Sequence, residues 1–160
     1  MDLLDERILD VLTTDGRMTW AELAGHLGLS APSAAERVRR LEEHGVIKGF
    51  TAMLDPLAIG LGLTAFVAVT LARPQDRSPF LEMVRSLDEV QECHHVAGDD
   101  DYLLKVRCRD ARHLDRLLSD HLKSLEGVVR TRTTIALDTL KDTCRMPLAG
   151  LVDAPAADRP

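Results

Sequence analysis

Two stretches of this 160-residue chain hold side chains whose types and spacing could do chemistry. The first runs from Leu29 to Gly45, LSAPSAAERVRRLEEHG, and sets Arg37, Arg39 and Arg40 behind the small residues Ser30, Ala31, Ser33 and Ala34. Guanidinium groups are planar, always charged and suited to phosphate or a base edge, and small residues let a backbone approach another surface closely. The same charges also fit a solvated helix face. The second stretch, Cys93 to Tyr102, places His94 and His95 ahead of Gly98, Asp99, Asp100 and Asp101. Three carboxylates after a glycine read either as a solvated hairpin tip or as a binding site. A metal site would need His94 or His95 to converge with the aspartates, whereas neighbouring strand residues point to opposite faces, so no metal ligands are assigned. No serine or threonine sits in a nucleophile turn and no glycine-rich phosphate loop is present, so no catalytic residues and no cofactor are expected.

The elements that must position the arginines follow from periodicity. Ser30 is an N-cap, Pro32 falls in the first turn, and Gly45 suits a helix C-terminus. Between them Ala31, Ala34, Val38 and Leu41 form an apolar face, with Ser33, Arg37 and Arg40 on the other side and Arg39 at the flank. Upstream, 2–14 reads as an amphipathic helix with Leu4, Ile8, Val11 and Leu12 inward, ended by Asp15-Gly16. Thr19 and Glu22 have capping-box spacing and open a second helix with Leu23, Ala24 and Leu27 buried. Only Gly28-Leu29 separates it from the third, so the two must cross sharply, which is helix-turn-helix grammar. A strict template would put an apolar residue at Arg37; here it comes at Val38. The segment 46–56 reads as a short strand or wing closed by Pro56.

Residues 1–54 are thus expected to form a winged helix-turn-helix DNA-binding domain, 55–62 a linker and 63–141 a second domain. In that domain, strands at 63–71, 90–96, 102–108 and 128–137 alternate with helices marked by Phe80, Leu81, Val84 and Leu87, and by Leu114, Leu117, Leu118 and Leu122. On the last strand Val129, Thr131, Thr133, Ile135 and Leu137 alternate with Val128, Arg130, Arg132, Thr134 and Ala136. The order βαββαβ is ferredoxin-like, and the fold class is α+β. Both helices cover one sheet face, so the other needs a partner, most simply a second copy of the chain. The tail, 142–160, is expected to be disordered at its end.

Composition sets the outer bounds. Net charge is −6, and the first 60 residues carry six Lys/Arg against ten Asp/Glu, yet Arg37, Arg39, Arg40 and Lys48 gather at one end of that segment. This pattern admits DNA docking by the basic end and predicts modest non-specific binding. Cys93, Cys108 and Cys144 have no disulfide or zinc spacing. The longest apolar run, 57–72, is broken by Gly60, Gly62, Thr64 and Thr70 and does not fit a membrane span or signal peptide, so a cytoplasmic setting is expected.

In sequence, Ala21-Glu22-Leu23-Ala24 to Gly28-Leu29-Ser30, Arg37-Val38-Arg39-Arg40-Leu41-Glu42 to Gly45-Val46-Ile47, Leu54-Asp55-Pro56 and Val96-Ala97-Gly98-Asp99-Asp100-Asp101-Tyr102-Leu103-Leu104 closely resemble the Lrp/AsnC (leucine-responsive, feast/famine) family of transcriptional regulators. The resemblance covers residues 2 to about 141. It implies a DNA-binding domain joined to an effector-binding, dimerising domain, with homodimers assembling into octamers or open arrays on double-stranded DNA. It also implies that an amino acid or related metabolite binds where dimers meet. By position, Gly98, Asp99, Asp100, Asp101, Thr131 and Thr133 become effector residues; an acidic loop beside threonines can meet both an ammonium and a carboxylate. Ala97 departs from the family's frequent Thr. Ser30, Ser33, Arg37, Arg40 and Lys48 are the expected DNA-binding set, with Ser33 and Arg37 toward bases and Arg40 and Lys48 toward phosphates. Siroheme decarboxylases are similar in fold, and His94 and His95 could then act as acid and base, but the retained arginines favour a regulator over an enzyme. A sequence-tolerant architectural protein is disfavoured by the acidic net charge.

Overall fold

The structure, a computed structural model, describes residues 1–148. It comprises two compact units, one of Met1–Ala52 together with residues 141–148, the other of Met53–Leu140. Of the tail expected to be disordered, residues 149–160 lie outside the described residues. Among its described residues, Arg145 bonds Asp10 at 2.9 Å and Leu148 packs on the core of the first unit. No helix among the described residues is long and apolar enough to cross a membrane.

The first unit holds α1 (Leu3–Thr14), α2 (Trp20–Leu27) and α3 (Ala31–Glu43). Side chains cap each of them. Asp2 and Asp5 form a reciprocal capping box on α1, Thr19 and Glu22 do so on α2, and the Ser30 hydroxyl accepts from the Ser33 amide on α3. Gly28 ends α2 at φ +68°, a left-handed conformation that costs a side-chain-bearing residue about 1–2 kcal/mol, and a Cβ there would meet no neighbour. The turn therefore needs glycine for its backbone angles and not for space. Ile8, Leu9, Leu23, Ala24, Leu27, Ala34, Val38 and Leu41 make one core. On α1 the buried pair is Ile8 and Leu9, with the expected Leu4, Val11 and Leu12 only half covered.

No strand forms over 46–55, where a strand or wing was expected. The amides of Val46 and Ile47 both donate to the Leu41 carbonyl, at 2.9 and 3.1 Å, and are consumed in ending α3. With those donors spent and no adjacent strand to form a ladder, β-type residues alone do not make a strand.

The second unit contains β1 (Leu63–Leu71), α4 (Arg77–Ser86), β2 (Val90–His95), β3 (Tyr102–Cys108), α5 (Ala111–Arg116) and β4 (Val128–Ile135). A single 3-10 turn, Pro74–Asp76, precedes α4, and α5 widens into a π-helical turn over Leu117–Leu122 where one regular helix was expected. The sheet is antiparallel throughout in the order β2-β3-β1-β4, the ferredoxin-like arrangement. Ala65, Val67, Val69, Leu104, Val106 and Cys108 face the helices and close on Phe80, Val84, Leu114, Leu117 and Leu122. Burial pushes the Cys108 thiol up to about 11, so it is a packing residue and not a nucleophile. The opposite face carries Phe66, Ala68 and Leu103 among polar and charged side chains.

Strand β4 departs from simple alternation. Thr70 pairs with Arg130 but Leu71 with Val128, so Val129 is an extra residue in the ladder. This bulge turns Val128 onto the helix-side core and leaves Val129 66% exposed, the reverse of the expected pattern at those two positions. Beyond it Thr131, Thr133 and Ile135 lie opposite Val69, Val67 and Ala65, on the helix side of the sheet.

Just before this strand Gly127 sits at φ +96° with its carbonyl accepting from the Ala72 amide, and a Cβ there would come within 2.5 Å of Asp76 Cβ and Cγ. Gly127→Ala should therefore destabilise the protein by about 2–4 kcal/mol, combining left-handed strain with overpacking, as read by urea unfolding followed by circular dichroism.

Candidate functional site

On α3 the burial of Ala34, Val38 and Leu41 determines what remains outside. The exposed Arg39 bonds Glu36 at 2.6 and 2.9 Å and also pairs with Glu43. This triad carries one net negative charge and offers nothing to a phosphate. Arg40 and Lys48 are exposed, and neither makes a salt bridge among the described residues. Ser33 is half-buried on the Arg40 side of the helix, while the Ser30 hydroxyl is engaged as the N-cap at 3.3 Å. The cationic flank of the helix is therefore Ser33 to Arg40, with Lys48 exposed in the segment after the helix.

Arg37, expected to stand free beside Ser33, does not. Its Nη1 donates to Asp2 Oδ2 at 2.8 Å and Asp5 Oδ1 at 2.7 Å, and its side chain is only 23% exposed. The cause is its helical position. Arg37 precedes Val38 at the margin of the apolar stripe, so its stem follows the core and its head meets the first turn of α1. Both this pairing and the Arg39 triad put the net charge of the helix face below what three arginines suggest. The triad was readable as i,i+3 and i,i+4 spacing; the pairing spans 32 and 35 residues and was not.

In the second unit the acidic loop is tied down. Asp100 is buried on the open sheet face, where it accepts from Thr70 Oγ1 at 3.0 Å, Arg130 at 3.1 Å and Arg132 at 2.6 Å. The Thr70 hydrogen bond, followed by the two guanidiniums, holds its carboxyl below the ordinary aspartate value. Asp101 Oδ2 accepts from the Leu71 amide at 2.7 Å, and the Asp101 amide donates to Val69. Its Oδ1 has no partner among the described residues. Gly98 and Asp99 are exposed, and the Asp99 carbonyl accepts from Arg130.

A hollow of about 490 Å³ opens beside Asp101, lined by Leu71, Ala72, Arg73, Pro74, Arg77, His95 and Tyr102. His95 rests against the Tyr102 ring, centroids 5.1 Å apart, and Tyr102 against Phe80 at 4.7 Å. Arg73 bonds Asp76, whereas the Arg77 head has no partner among the described residues. His94 lies on the other face, 3.0 Å from Glu92. Thr131 borders a separate hollow of about 380 Å³ with Lys123, Val128, Val129 and Arg130. The expected effector residues are thus not gathered in one chain. Asp101, just before β3, and Thr131 of β4 lie on either side of Val69, about 10 Å apart by two inter-strand spacings, and Thr133 lies further along β4. Arg73 and Arg77 are lining residues that sequence reasoning missed, and His95, singled out there only as a possible acid or base, lines the hollow with them. Only the β1–α4 turn brings the two arginines to the loop. Among the described residues no group of three His, Cys, Asp or Glu side chains could hold a metal.

Comparison with known proteins accounts for both units. The AsnC-type helix-turn-helix domain matches residues 1–42, and the Lrp/AsnC ligand binding domain matches 64–146. The chain belongs to the Lrp/AsnC family. The Leucine-responsive regulatory protein of Escherichia coli (strain K12) is 43% identical over 148 residues, 91% of this chain and 90% of that one. A transcriptional regulator from Neisseria meningitidis, solved with L-methionine, superposes with a TM-score of 0.89 at 33% identity, covering 93% of this chain and 97% of that one. The feast or famine regulatory protein of M. tuberculosis complexed with L-methionine gives 0.84 at 39% identity, covering 91% and 97%. The Lrp/AsnC helix-turn-helix match takes in Ser30, Ser33, Arg37 and Arg40 and stops short of Lys48, while the ligand-binding match contains both hollows and the whole acidic loop.

The tethering of Asp100 has a pH signature. Because its carboxyl is held below the ordinary value of 3.8, the stabilisation is present above that value and lost as pH falls through the depressed one. Asp100→Asn should accordingly lower the melting temperature at pH 6, and the gap to the parent protein should close below about pH 3.8, as measured by scanning calorimetry at each pH.

Proposed function

We propose that this Lrp/AsnC chain works as a homodimer, assembling further with other dimers, that reads DNA with paired α3 helices and receives an amino acid in the hollow beside Asp101. The observation that carries the effector reading is the charge pattern of that hollow. Asp101 Oδ1 and the Arg77 guanidinium are both unengaged among the described residues and line one cavity. A zwitterion needs an anion for its ammonium and a cation for its carboxylate, and an apolar side chain could lie against Leu71, Pro74 and Tyr102. L-methionine in two structural neighbours supports the same ligand class. Gly98, Asp99, Thr131 and Thr133 then belong to the rim, where a further copy of the chain completes the site.

On DNA, the Ser33 hydroxyl faces bases from the N-terminal part of α3, and Arg40 and Lys48 hold phosphates. Ser30 orients the helix through its cap. Two α3 helices related by a twofold axis meet successive major grooves, roughly 34 Å apart. The unpartnered sheet face with Phe66, Ala68 and Leu103 supports dimerisation face to face. The setting assigned to such a protein is the cytoplasm, and no catalytic role is assigned.

Two measurements test this. Arg40→Ala should weaken binding to specific and random duplexes alike and reduce the slope of log K against log salt by about 1, as read by fluorescence anisotropy. Asp101→Asn keeps an acceptor for the Leu71 amide but removes the charge. It should leave the unliganded melting temperature unchanged and abolish the thermal shift given by L-methionine.

A further inference from the structure

We infer that Arg37 serves DNA recognition without touching DNA, as a positioning residue that locks α3 to the first turn of α1 at the level of the reading face. The inference rests on α3 being the DNA-reading helix. Its carriers are the two aspartates that cap α1. Asp2 Oδ1 accepts from the Asp5 amide and Asp5 Oδ2 from the Asp2 amide, each at 2.9 Å. The two remaining oxygens, Asp2 Oδ2 and Asp5 Oδ1, both accept from Arg37 Nη1. All four carboxylate oxygens are thus used, two to start α1 and two to hold α3.

Charge and geometry both argue against a base or phosphate contact by this side chain. One guanidinium faces two carboxylates, so the cluster is net negative and does not attract phosphate. Freeing the head would break two charge-assisted hydrogen bonds at once and leave Asp5, whose side chain is 15% exposed, without its counter-ion. In agreement with this geometry, Asp2 and Asp5 hold Arg37 more firmly protonated, and the Asp5 amide, followed by Arg37, keeps the Asp2 carboxyl below the ordinary aspartate value.

What the lock controls follows from position. Arg37 lies four residues after Ser33 and three before Arg40, on the same flank of α3, so it pins the helix between the two groups assigned to DNA. Apolar packing does not do this at that end. The buried residues of α1 are Ile8 and Leu9, in its middle, while Leu3 in its first turn is 69% exposed. The ion triad is therefore what ties the exposed flank of α3 to the start of α1.

The sign of one substitution separates this role from direct contact. Removing an acid beside a DNA-binding face should tighten binding if Arg37 were merely restrained from DNA, and should weaken it if the acid positions the helix. The probe is a duplex enriched by the parent chain from a randomised pool, with binding measured well below the melting temperature of every variant. Asp5→Asn and Arg37→Met should each weaken that duplex roughly tenfold, the size of one lost charge-assisted hydrogen bond. The double variant should be no weaker than either single one. Arg37→Met should leave random-duplex affinity and the salt slope unchanged, and Asp5→Glu should recover most of the loss. The inference is overturned if Asp5→Asn tightens binding, if the two losses add, if Arg37→Met lowers the salt slope by about 1, or if neither variant changes affinity while only stability falls. Failure of the parent chain to enrich any duplex would instead overturn the DNA reading of α3 on which the inference stands.

Discussion

The apolar seam between α2 and α3 sets the roll of α3, and each exposed group on that helix takes its direction from it. Leu23, Ala24 and Leu27 share one core with Ala34, Val38 and Leu41, with Gly28 turning the chain between the two helices. Each fully buried Leu or Val contributes about 1.5–3 kcal/mol, enough in sum to fix one rotation against the others. That rotation sends Glu36, Arg39 and Glu43 away from the core into a mutually paired cluster. It leaves Ser33 and Arg40 on one flank and sets Arg37 at the boundary, where the core ends and the acids of α1 begin. Helix charge is thus distributed by packing, and three nearby arginines acquire three different electrostatic environments.

A similar division of labour governs the acidic loop of the second unit. Three adjacent aspartates repel one another, and a loop carrying them could be expected to extend into solvent. Here the repulsion is relieved individually. Asp100 turns onto the open sheet face between Arg130 and Arg132, Asp101 satisfies the amide of Leu71 at the end of β1, and Asp99 faces water. The loop is consequently held against β1 and β4, and Asp101 lines the hollow together with Arg73 and Arg77 from the following turn.

Most elements were legible in the residues. The bounds of β1 and β3 agree with expectation because both strands are buried or strictly alternating, and the caps at Thr19 and Ser30 mark helix starts unambiguously. What escaped reading has identifiable causes. Val46 to Asp55 has strand-like composition, but its first amides end α3 and no strand pairs with the rest. The bulge at Val129 inserts one residue into a period-two pattern that shows no local signal. The π-helical turn after Arg116 keeps its leucines inward at a spacing that a regular helix would also satisfy. For the site, the acidic loop and the arginines of α3 were found by type and spacing, whereas the partners of Arg37, Asp100 and Asp101 lie 30 or more residues away.

The sequence by itself determined the helix-turn-helix, the βαββαβ order and the family, and singled out two candidate stretches, because those depend on short-range patterns of burial, capping and glycine placement. Tertiary structure alone decided which charges are free. An arginine or aspartate is written the same way whether it faces water or a counter-ion. Only the folding together of α1 with α3, and of the acidic loop with β1 and β4, settles that Arg37 is held, Arg40 is exposed, Asp100 is paired with two arginines and Asp101 is bonded through Oδ2 to the Leu71 amide.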